Sequence, residues 1–479
     1  MFNIPDNGKK RVVIVGGGFA GLQAAERLKK SDFQVVLIDK NNYHQFPPLI
    51  YQIATAGLNP NSISFPFRKI LEKRRDSYFR LAELRAVFPE EKYIQTSIGK
   101  LSYDYLILAN GADTNFYGSE EIASQAMPMK TVAEAMGLRN ALLSNFERAL
   151  TCSTEKERQE LLNVVIVGGG PSGVEIAGAI AEMRRYVLPR DYPDLDAAKM
   201  HIYLVDGGTR LLNAMSQKAS DAALKFLRQF NVEVMLGELV TGYKDRTVYL
   251  SSGRTIPSLT FIWVGGVQGN AVPGLPAQCT GPGRRIWVDA FHQVRGVKDI
   301  FAIGDVALMD GDLNYKKGHP MMAQPAIQQA HNLAHNLIAK EKGGEIKPFA
   351  YKDLGSMATI GRNRAVADIN ALHVTGIVAW FLWMAVHLRS ILGVHNKLAV
   401  LMDWTWSYFT YDRSNRMIIT AKLPRVLVER RMRELRTHWG ELTPAADKAA
   451  DEDEVIKLEA AAEEQISGGK PAAPAQDKA

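Results

Sequence analysis

A glycine-rich segment occurs twice in this chain, and its geometry constrains the fold more than any other feature of the sequence. Residues 12–28 read VVIVGGGFAGLQAAERL, and residues 164–180 read VVIVGGGPSGVEIAGAI. Each copy combines a short apolar run typical of a buried strand, a G-x-G-x-x-G spacing and an apolar pattern of helical period. The repeat therefore predicts two strand–loop–helix units of the same architecture. The spaced glycines are Gly16, Gly18 and Gly21 in the first copy and Gly168, Gly170 and Gly173 in the second.

This spacing meets the needs of a bound dinucleotide. The first glycine permits a tight turn, the second lets the backbone approach the pyrophosphate, and the third lets the helix pack closely with its N-terminus facing the phosphates. A carboxylate at the end of the next strand binds ribose hydroxyls, and Asp39 and Asp206 end the apolar runs QVVLID and IYLVD. The alternative is that the glycines serve only packing in an ordinary α/β domain.

Two further segments resemble the flavoproteins that bind two dinucleotides. VKDIFAIGDVA places Asp305 after a short apolar run, and YDYLILANGADTNF places Ala109 and Gly111 in a small-residue turn after another. The resemblance implies that the first loop binds FAD, with Asp305 on the ribityl chain. It also implies that the second loop binds a nicotinamide nucleotide, with Gly266 in the closing segment LTFIWVGGVQGN.

The predicted fold class is α/β, with two dinucleotide-binding (Rossmann-like) domains and a C-terminal membrane-associating helical region. An insertion, RRYVLPRDYPDLDAAK, follows the second glycine motif and predicts a helix that is extended or followed by an excursion. The predicted parts are 9–117 (FAD-binding, first part), 118–290 (NADH-binding), 291–345 (FAD-binding, second part), 346–440 (membrane-anchoring) and 441–479 (a disordered acidic and alanine-rich tail).

The chain contains two cysteines, Cys152 and Cys279, which excludes a disulfide framework and a cysteine-rich metal site. Disulfide reductases of this fold carry C-x-x-x-x-C after the first acid, where this chain reads NNYHQFPPLIYQIATAG. A thiol relay beside the flavin is therefore not expected, and electrons must leave the flavin directly. Two lone thiols fit a reducing cytosolic setting.

The remaining motifs resemble the type II NADH:quinone oxidoreductases, which are single-subunit, non-pumping respiratory dehydrogenases. The similarity covers roughly residues 10–420 and rests on YHQFPPLIYQIATAG, GGGPSGVEIAGAI, MMAQPAIQQA and YKDLGSMATIGRNRAVAD. The A-Q-x-A-x-Q motif of the family matches at Ala323, Gln324, Ala326 and Gln328. The chain departs from the family at Leu354, where a lysine is frequent.

The resemblance implies a role for each matching residue, with FAD and NADH as cofactors and with no metal. The residues implied for FAD are Gly16, Gly18, Phe19, Ala20, Gly21, Asp39, Lys40, Ala109, Gly111, Asp305, Ala323 and Gln324. Those implied for NADH are Gly168, Gly170, Gly173, Glu175, Asp206 and Gly266. Those implied for catalysis are Glu175, near the nicotinamide and flavin, and Gln324 and Gln328, between the flavin and the quinone.

Three of these assignments have simpler alternatives. Glu175 could be an acid that the helix dipole favours near an N-terminus, and Gln324 and Gln328 could be surface glutamines of a first helical turn. Asp206 favours NADH over NADPH, since a carboxylate binds a 2′-hydroxyl and repels a 2′-phosphate. Arg210 could soften that repulsion.

The C-terminal third combines apolar, aromatic and basic residues. The uncharged run at 371–386 is 16 residues long, whereas a spanning helix needs about 20. The residues after it include Arg389, Lys397, Trp404 and Trp406, a mixture that suits lipid headgroups. A buried pair of core helices is the alternative.

A second segment, RVLVERRMRELRTHW, predicts an amphipathic helix in the plane of the membrane. Val428, Met432, Leu435 and Trp439 share one face. Residues 441–479 are acidic, with 10 acidic and 4 basic side chains, although the whole chain has a net charge of +7. The part of the chain before residue 441 is therefore strongly basic. We find no nucleic-acid-reading motif, so an anionic membrane is the better partner.

The sequence thus predicts an NADH:quinone oxidoreductase attached peripherally to the cytoplasmic face of the inner membrane, with no secretory signal in MFNIPDNGKKR. Its expected partners are NADH, a membrane quinone and the lipid surface, and a homodimer is left open. The alternatives are a soluble flavoprotein that responds to NADH as a redox sensor or docking module, and another quinone-reducing enzyme such as a sulfide oxidase.

Overall fold

The computed structural model describes residues 2–72, 76–312, 314–413 and 415–419. Met1–Ile418 form one compact unit. The strands are β1 Arg11–Val15, β2 Gln34–Asp39, β3 Tyr43–Gln45, β4 Ser64–Pro66, β5 Ser77–Leu81, β6 Leu84–Phe88, β7 Tyr93–Thr96, β8 Gly99–Ser102, β9 Tyr105–Leu108, β10 Ala112–Thr114, β11 Met127–Pro128, β12 Val164–Val167, β13 Ile202–Asp206, β14 Val232–Leu236, β15 Val240–Lys244, β16 Thr247–Leu250, β17 Thr255–Pro257, β18 Thr260–Trp263, β19 Val267–Gly269, β20 Ile286–Val288, β21 Ile300–Ala302, β22 Ala307–Met309, β23 Ser356–Thr359, β24 Ala365–Ile369 and β25 Leu372–Thr375. The helices are α1 Phe19–Leu28, α2 Ile50–Ala54, α3 Phe67–Leu71, α4 Glu120–Gln125, α5 Val132–Thr151, α6 Glu155–Leu162, α7 Pro171–Glu182, α8 Leu188–Asp191, α9 Gln217–Gln229, α10 Ala323–Glu341, α11 Ile377–Ser390 and α12 Val394–Thr410.

The first glycine motif lies in a parallel sheet with the strand order β21-β9-β1-β2-β5. Strand β1 is buried on both faces, because Val12 and Ile14 pack with the apolar sides of α1 and α10 whereas Val13 and Val15 pack with β6–β8, β20 and β22. Burial on both faces explains why its sequence is a continuous apolar run and not an alternating one.

The second motif lies in a parallel sheet with the equivalent order β11-β18-β12-β13-β14. A separate antiparallel meander comes before one partner of each motif strand. Strands β6–β8 come before β9, which pairs with β1, and strands β15–β17 come before β18, which pairs with β12. The two copies therefore share a fold as well as a sequence pattern, and the predicted fold class is confirmed.

The chain crosses between these two sheets near two short strand pairings, of which the first is antiparallel. Strand β10 pairs with β19, and β20 pairs in parallel with β22. Asn110 and Asn270 exchange side-chain to backbone hydrogen bonds in both directions beside the first pairing, at 3.4 and 2.6 Å. The boundaries at 117/118 and 290/291 stay predictions.

The insertion after the second motif is helical. Helix α7 continues as a π-helical turn at Met183–Val187 and then as α8, before a 3₁₀ turn at Ala197–Lys199 leads into β13. The helix is thus both extended and followed by an excursion. The added turns extend the buried side of α7, because Met183, Val187 and Leu188 are buried as well.

The sequence predicted a helical region after α10, but the structure shows that this region also contains strands. It begins with the antiparallel sheet β23-β24-β25, and the uncharged run at 371–386 divides into β25 and most of α11. Gly178 of α7 lies against the backbone of Ile360, so this sheet packs directly on the second nucleotide domain. The amphipathic segment at 428–439 and the tail at 441–479 lie outside the described residues.

Within the part of the chain that the structure describes, no helix has both the length and the apolarity needed to cross a membrane.

Gly178→Ala should lower the thermal unfolding midpoint. An added Cβ would lie 2.8 Å from the carbonyl carbon of Ile360, and overpacking of this kind costs about 1–3 kcal/mol. Gly137→Ala in α5 is the matched control, because its Cβ would meet nothing within 4 Å. That change should raise stability by up to about 1 kcal/mol. Equal midpoints for the two variants would contradict the close packing of α7 on Ile360.

Candidate active site

The two glycine loops have the same geometry. Gly16 and Gly168 adopt φ values of +97° and +117°, which are unfavourable for residues with a side chain. A Cβ on either would also overlap a carbonyl group of the adjacent strand end, that of Ala109 for Gly16 and that of Val264 for Gly168. Each motif therefore requires glycine for both backbone conformation and space.

The predicted ribose acids fold back onto these loops. Asp39 Oδ2 accepts a hydrogen bond of 2.6 Å from Gly17 N–H, and Asp206 Oδ2 accepts one of 2.6 Å from Gly169 N–H. A second backbone N–H, two residues beyond each acid, donates to Oδ1 at 2.7 Å. Burial raises the pKa of Asp39, and these N–H donors oppose that shift. Each carboxylate is thus oriented beside its glycine turn.

The space before helices α1 and α7 fits a dinucleotide pyrophosphate. Gly18 and Gly170 are the N-cap residues, and neither helix start has a side-chain cap. Both glycines are exposed, and a Cβ on either would meet no atom within 4 Å. Uncapped N–H groups that face open space bind phosphate readily.

The other residues predicted for FAD surround the first loop. A Cβ on Gly304 would lie 3.1 Å from the Cβ of Ala20 and 3.7 Å from that of Ala326, so the turn before Asp305 meets the starts of α1 and α10. Lys40 is exposed just after β2. Gly111 adopts a φ of +70° with open space beside it, and Phe19 packs edge-on against His44.

Two residues near Asp305 had not been identified from the sequence. Lys130 Nζ lies 3.8 Å from Asp305 Oδ2, and burial raises the pKa of Asp305 while Lys130 and Arg285 counteract it. Gln329 Oε1 accepts a hydrogen bond of 2.7 Å from Gly304 N–H. Gln329 belongs to the same AQPAIQQA segment as the predicted glutamines, but no spacing rule distinguishes it from them.

The predicted quinone-side glutamines both bind the backbone of the segment before β23. Gln328 exchanges two hydrogen bonds with Lys352, at 2.8 and 3.0 Å. Gln324 donates to Gly355 O at 2.9 Å and accepts from Leu354 N–H at 3.1 Å. The two amides therefore attach α10 to the segment that contains Leu354, whose side chain is exposed.

Glu175 is buried in α7, beyond the first helical turn, so the helix dipole does not explain its position. Its Oε1 accepts a long hydrogen bond of 3.4 Å from Thr359 N–H of β23. Burial raises the pKa of Glu175 to about 8, although Thr359 N–H and the Trp383 indole favour the ionised form. A carboxyl with such a pKa can hold a proton at neutral pH and release it nearby.

Gly266, predicted to contact NADH, follows β18 under an aromatic ring. The Tyr117 hydroxyl donates a hydrogen bond of 3.0 Å to Gly265 O, and a Cβ on Gly266 would lie 2.5 Å from that hydroxyl. Tyr117 is 69% exposed. A side chain at Gly266 would therefore displace the hydroxyl end of the exposed Tyr117 side chain.

The cysteines and possible metal ligands add no further centre to the described residues. Cys152 and Cys279 are free thiols, and burial raises the pKa of Cys279. No group of His, Cys, Asp or Glu side chains that could hold a metal occurs in the ranges that the structure describes.

Residues 10–330 match the model of the pyridine nucleotide-disulphide oxidoreductase family, and residues 354–411 match that of the NDH2 C-terminal domain. The fold and the two loops thus define a flavoprotein with two dinucleotide sites, for FAD and NADH. The chain is 34% identical to the type II NADH:quinone oxidoreductase Ndh of Mycobacterium tuberculosis over 85% of this chain and 89% of the relative. It is 33% identical to NdhA of the same organism, over 87% and 90%. The chain belongs to the type II NADH:quinone oxidoreductase family.

Solved structures support the same fold. A structure of NDH2 from Plasmodium falciparum in complex with NADH matches with a TM-score of 0.79 at 22% identity, covering 86% of this chain and all of that one. A sulfide:quinone oxidoreductase from Aquifex aeolicus matches with a TM-score of 0.63 at 19% identity, covering 89% and 95%. These two matches support the fold, and the two relatives from Mycobacterium tuberculosis confirm the family predicted from the sequence.

NADH should be preferred over NADPH by at least about tenfold in kcat/KM, because a carboxylate at the end of the second strand of such a unit, here Asp206, repels a 2′-phosphate. The Arg210 guanidinium donates to Met215 O and Asn213 O at 3.0 and 2.6 Å. Because these backbone contacts occupy it, we do not expect Arg210 to offset the charge of Asp206. Asp206→Ser should reduce the preference, whereas Asp221→Ser, an exposed acid on α9, should not. Equal steady-state kcat/KM values for both nucleotides in the unaltered protein would contradict this role of Asp206.

Proposed function

We propose that this protein oxidises NADH at its second dinucleotide site and passes the electrons through FAD to a membrane quinone. The observation that carries the proposal is the joining of two equivalent nucleotide loops, in one compact unit, to the C-terminal domain of this family. Bound FAD supplies the chemistry, since a flavin accepts a hydride and releases electrons to a quinone. The protein supplies orientation, exclusion of water and proton handling.

The protein's own groups divide these tasks. The uncapped starts of α1 and α7 bind the two pyrophosphates, and Asp39 and Asp206 orient the riboses. Glu175 is buried beside Thr359 of β23, and burial raises its pKa, so its carboxyl retains a proton to higher pH than an exposed acid does. Quinone reduction consumes protons as well as electrons, so a neutral acid at this position suits the reaction.

We place the quinone beside α10 and the segment at 351–355. Gln324 and Gln328 each use one amide N–H on a backbone carbonyl, and an amide carries a second N–H that can donate to a quinone carbonyl. Leu354 adds an exposed apolar side chain at this position. An apolar contact there favours a lipid-soluble substrate.

The membrane surface is formed by one side of α11 and α12. Trp383 and Ala379 of α11 and Val400 of α12 pack inward, whereas large apolar side chains point outward. The outward residues, here called the apolar face, are Ile377, Val378, Phe381, Val386, Val394, Leu398, Leu401, Met402, Trp406 and Phe409. An apolar patch of this size favours insertion into a lipid surface.

We place the protein on the cytoplasmic side of the inner membrane, because NADH and a respiratory quinone meet there. A homodimer stays a prediction. A sulfide oxidase of this fold needs several cysteines, and the two free thiols of this chain therefore disfavour that activity. The apolar face disfavours a soluble redox sensor.

Gln328→Leu should leave flavin reduction by NADH nearly unchanged, because hydride transfer depends on nicotinamide–flavin geometry. Reoxidation by quinone should slow by about tenfold or more, since a donor to a buried carbonyl contributes about 1–3 kcal/mol. Stopped-flow absorbance of the flavin measures the two half-reactions separately. A slower reductive half with an unchanged oxidative half would place the quinone elsewhere.

Met402→Glu combined with Phe409→Glu should weaken binding to vesicles of anionic phospholipid by at least about tenfold, because each side chain loses about 1.5–3 kcal/mol of apolar burial. These residues are 71% and 77% exposed. Leu239→Glu is the control, since Leu239 is 62% exposed outside α11 and α12. Sedimentation with vesicles measures binding, and unchanged sedimentation of the double variant would refute the apolar face as the lipid surface.

A further inference from the structure

A buried histidine, His319, connects the loop before α10 to the turn that contains Asp305. Its side chain is 1% exposed, and its Nε2 lies 3.1 Å from Asp312 Oδ2. Its other ring nitrogen, Nδ1, lies 3.4 Å from the amide nitrogen of Gln329. The amide oxygen of Gln329 in turn accepts the hydrogen bond of 2.7 Å from Gly304 N–H. Hydrogen-bonding contacts therefore run without a break from Asp312 to the turn at Gly304-Asp305, here called the flavin turn.

The chemistry of the two ends determines where the protons lie. A backbone N–H can only donate, so the Gln329 amide must turn its oxygen to Gly304 and its NH₂ to His319. The Nδ1 atom of His319 must therefore accept, and it carries no proton. An ionised carboxylate can only accept, so Nε2 carries the proton that Asp312 binds. These contacts fit the neutral imidazole protonated at Nε2, and they do not fit the imidazolium, whose Nδ1–H would face the amide NH₂.

The surroundings of His319 favour this neutral form. Three aromatic rings enclose the imidazole, with ring centres at 5.4, 5.2 and 5.7 Å, and they belong to Tyr315, Phe349 and Tyr351. Burial lowers the pKa of His319, whereas Asp312 acts in the opposite direction. The imidazole therefore takes up a second proton less readily than an exposed histidine does.

The other titratable groups near His319 are neutral, apart from Arg285. Burial lowers the pKa of His292 to about 3, and burial raises the pKa of Tyr315 and that of Tyr351. These three side chains are therefore uncharged at neutral pH. Arg285 donates a hydrogen bond of 3.0 Å to His319 O, and its positive charge disfavours a second positive charge on the imidazole.

The flavin turn depends on the acceptor that Gln329 provides. Gly304 adopts a φ of +75°, and it lies against the starts of α1 and α10. A second proton on His319 would place two donors face to face, either at Gln329 or, if the amide turned over, at Gly304. Each arrangement leaves a hydrogen bond unmade beside the residue that precedes Asp305.

We propose that His319 is a positioning residue for FAD: bound by Asp312, its neutral Nε2–H form fixes the Gln329 amide, and this amide holds the flavin turn so that Asp305 is presented to the cofactor. The proposal rests on the proposed function only in that Asp305 contacts bound FAD. His319 acts through Gln329 and transfers no proton in the reaction. FAD therefore binds less tightly when His319 is protonated.

The first test identifies the protonated ring nitrogen by nitrogen NMR of the full-length, FAD-loaded protein labelled at its 10 histidines. His319→Gln assigns the signals, because it removes one histidine. We expect a protonated Nε2 and an unprotonated Nδ1 at about pH 8, where a histidine of ordinary pKa is neutral. An unprotonated Nε2, or a doubly protonated ring at that pH, would overturn the proposal.

The second test measures FAD affinity from free-flavin fluorescence after the FAD-loaded protein is diluted to equilibrium. His319→Phe keeps a ring but loses both nitrogen contacts, so FAD should bind about fivefold or more weakly at about pH 8. His319→Gln can still donate to Asp312 and accept from Gln329, and it should restore the affinity to within about threefold of the unaltered protein. His331→Phe is the matched control, since His331 lies two residues after Gln329 on α10 and its ring bonds to α1. This variant should retain the original affinity.

The dependence of affinity on pH distinguishes positioning from packing. As pH falls from about 8 to about 5, His319 should gain a proton more readily in the released state than in the FAD-bound state, so the unaltered protein should lose affinity. His319→Gln has no group that titrates at this position, and its loss should be smaller by at least about threefold. Acids such as Asp39 and Asp305 titrate in both proteins and do not affect the comparison.

Equal pH dependence in the unaltered protein and His319→Gln would refute the positioning role, as would unweakened FAD binding in His319→Phe. If His319→Phe does not retain flavin, the NMR result and the comparison with His319→Gln decide. Neither measurement contains NADH or quinone. Absent quinone reductase activity would therefore overturn the proposed function and leave these results interpretable.

Discussion

The close approach of glycine backbone to a neighbouring strand end underlies both nucleotide sites. At Gly16 and Gly168 the turn passes so near the carbonyl groups of Ala109 and Val264 that no side chain fits. This contact brings the starts of α1 and α7 over the ends of their sheets, and the hydrogen bonds to Asp39 and Asp206 then orient each turn. The same physical constraint, used twice, creates two clamps that can face one flavin.

Burial of Glu175 is the second determinant, and it depends on a different close contact. Gly178, one turn further along α7, lets the backbone of Ile360 approach the helix. The C-terminal sheet thereby covers Glu175, and removal from water raises its pKa to about 8. The C-terminal domain thus has two roles: its helices present the apolar face, and its sheet helps to bury Glu175, whose pKa burial raises.

Residues identified from the sequence belong to local patterns, and residues that were missed do not. The glycine spacing, Asp39, Asp206 and the Gly304-Asp305 pair each follow a strand within a short segment, so periodicity and spacing identify them. Lys130, which follows β11 of the second sheet, reaches Asp305 across 175 positions of the chain, and Gln329 is one of several glutamines in AQPAIQQA. Gln324 and Gln328 were expected to face the quinone, but their amides also hold the segment at 352–355.

The sequence by itself determined the repeated strand–loop–helix units, the two nucleotide sites, the family and the aromatic, basic character of the C-terminal third. These features depend on backbone sterics and local period, which neighbouring residues encode. Only the tertiary structure decided which buried groups meet. Thr359 reaches Glu175 across 184 residues and Trp404 reaches Gln52 across 352, and no local pattern encodes contacts at such separations. The burial that raises the pKa of Glu175 is therefore a property of the packed chain.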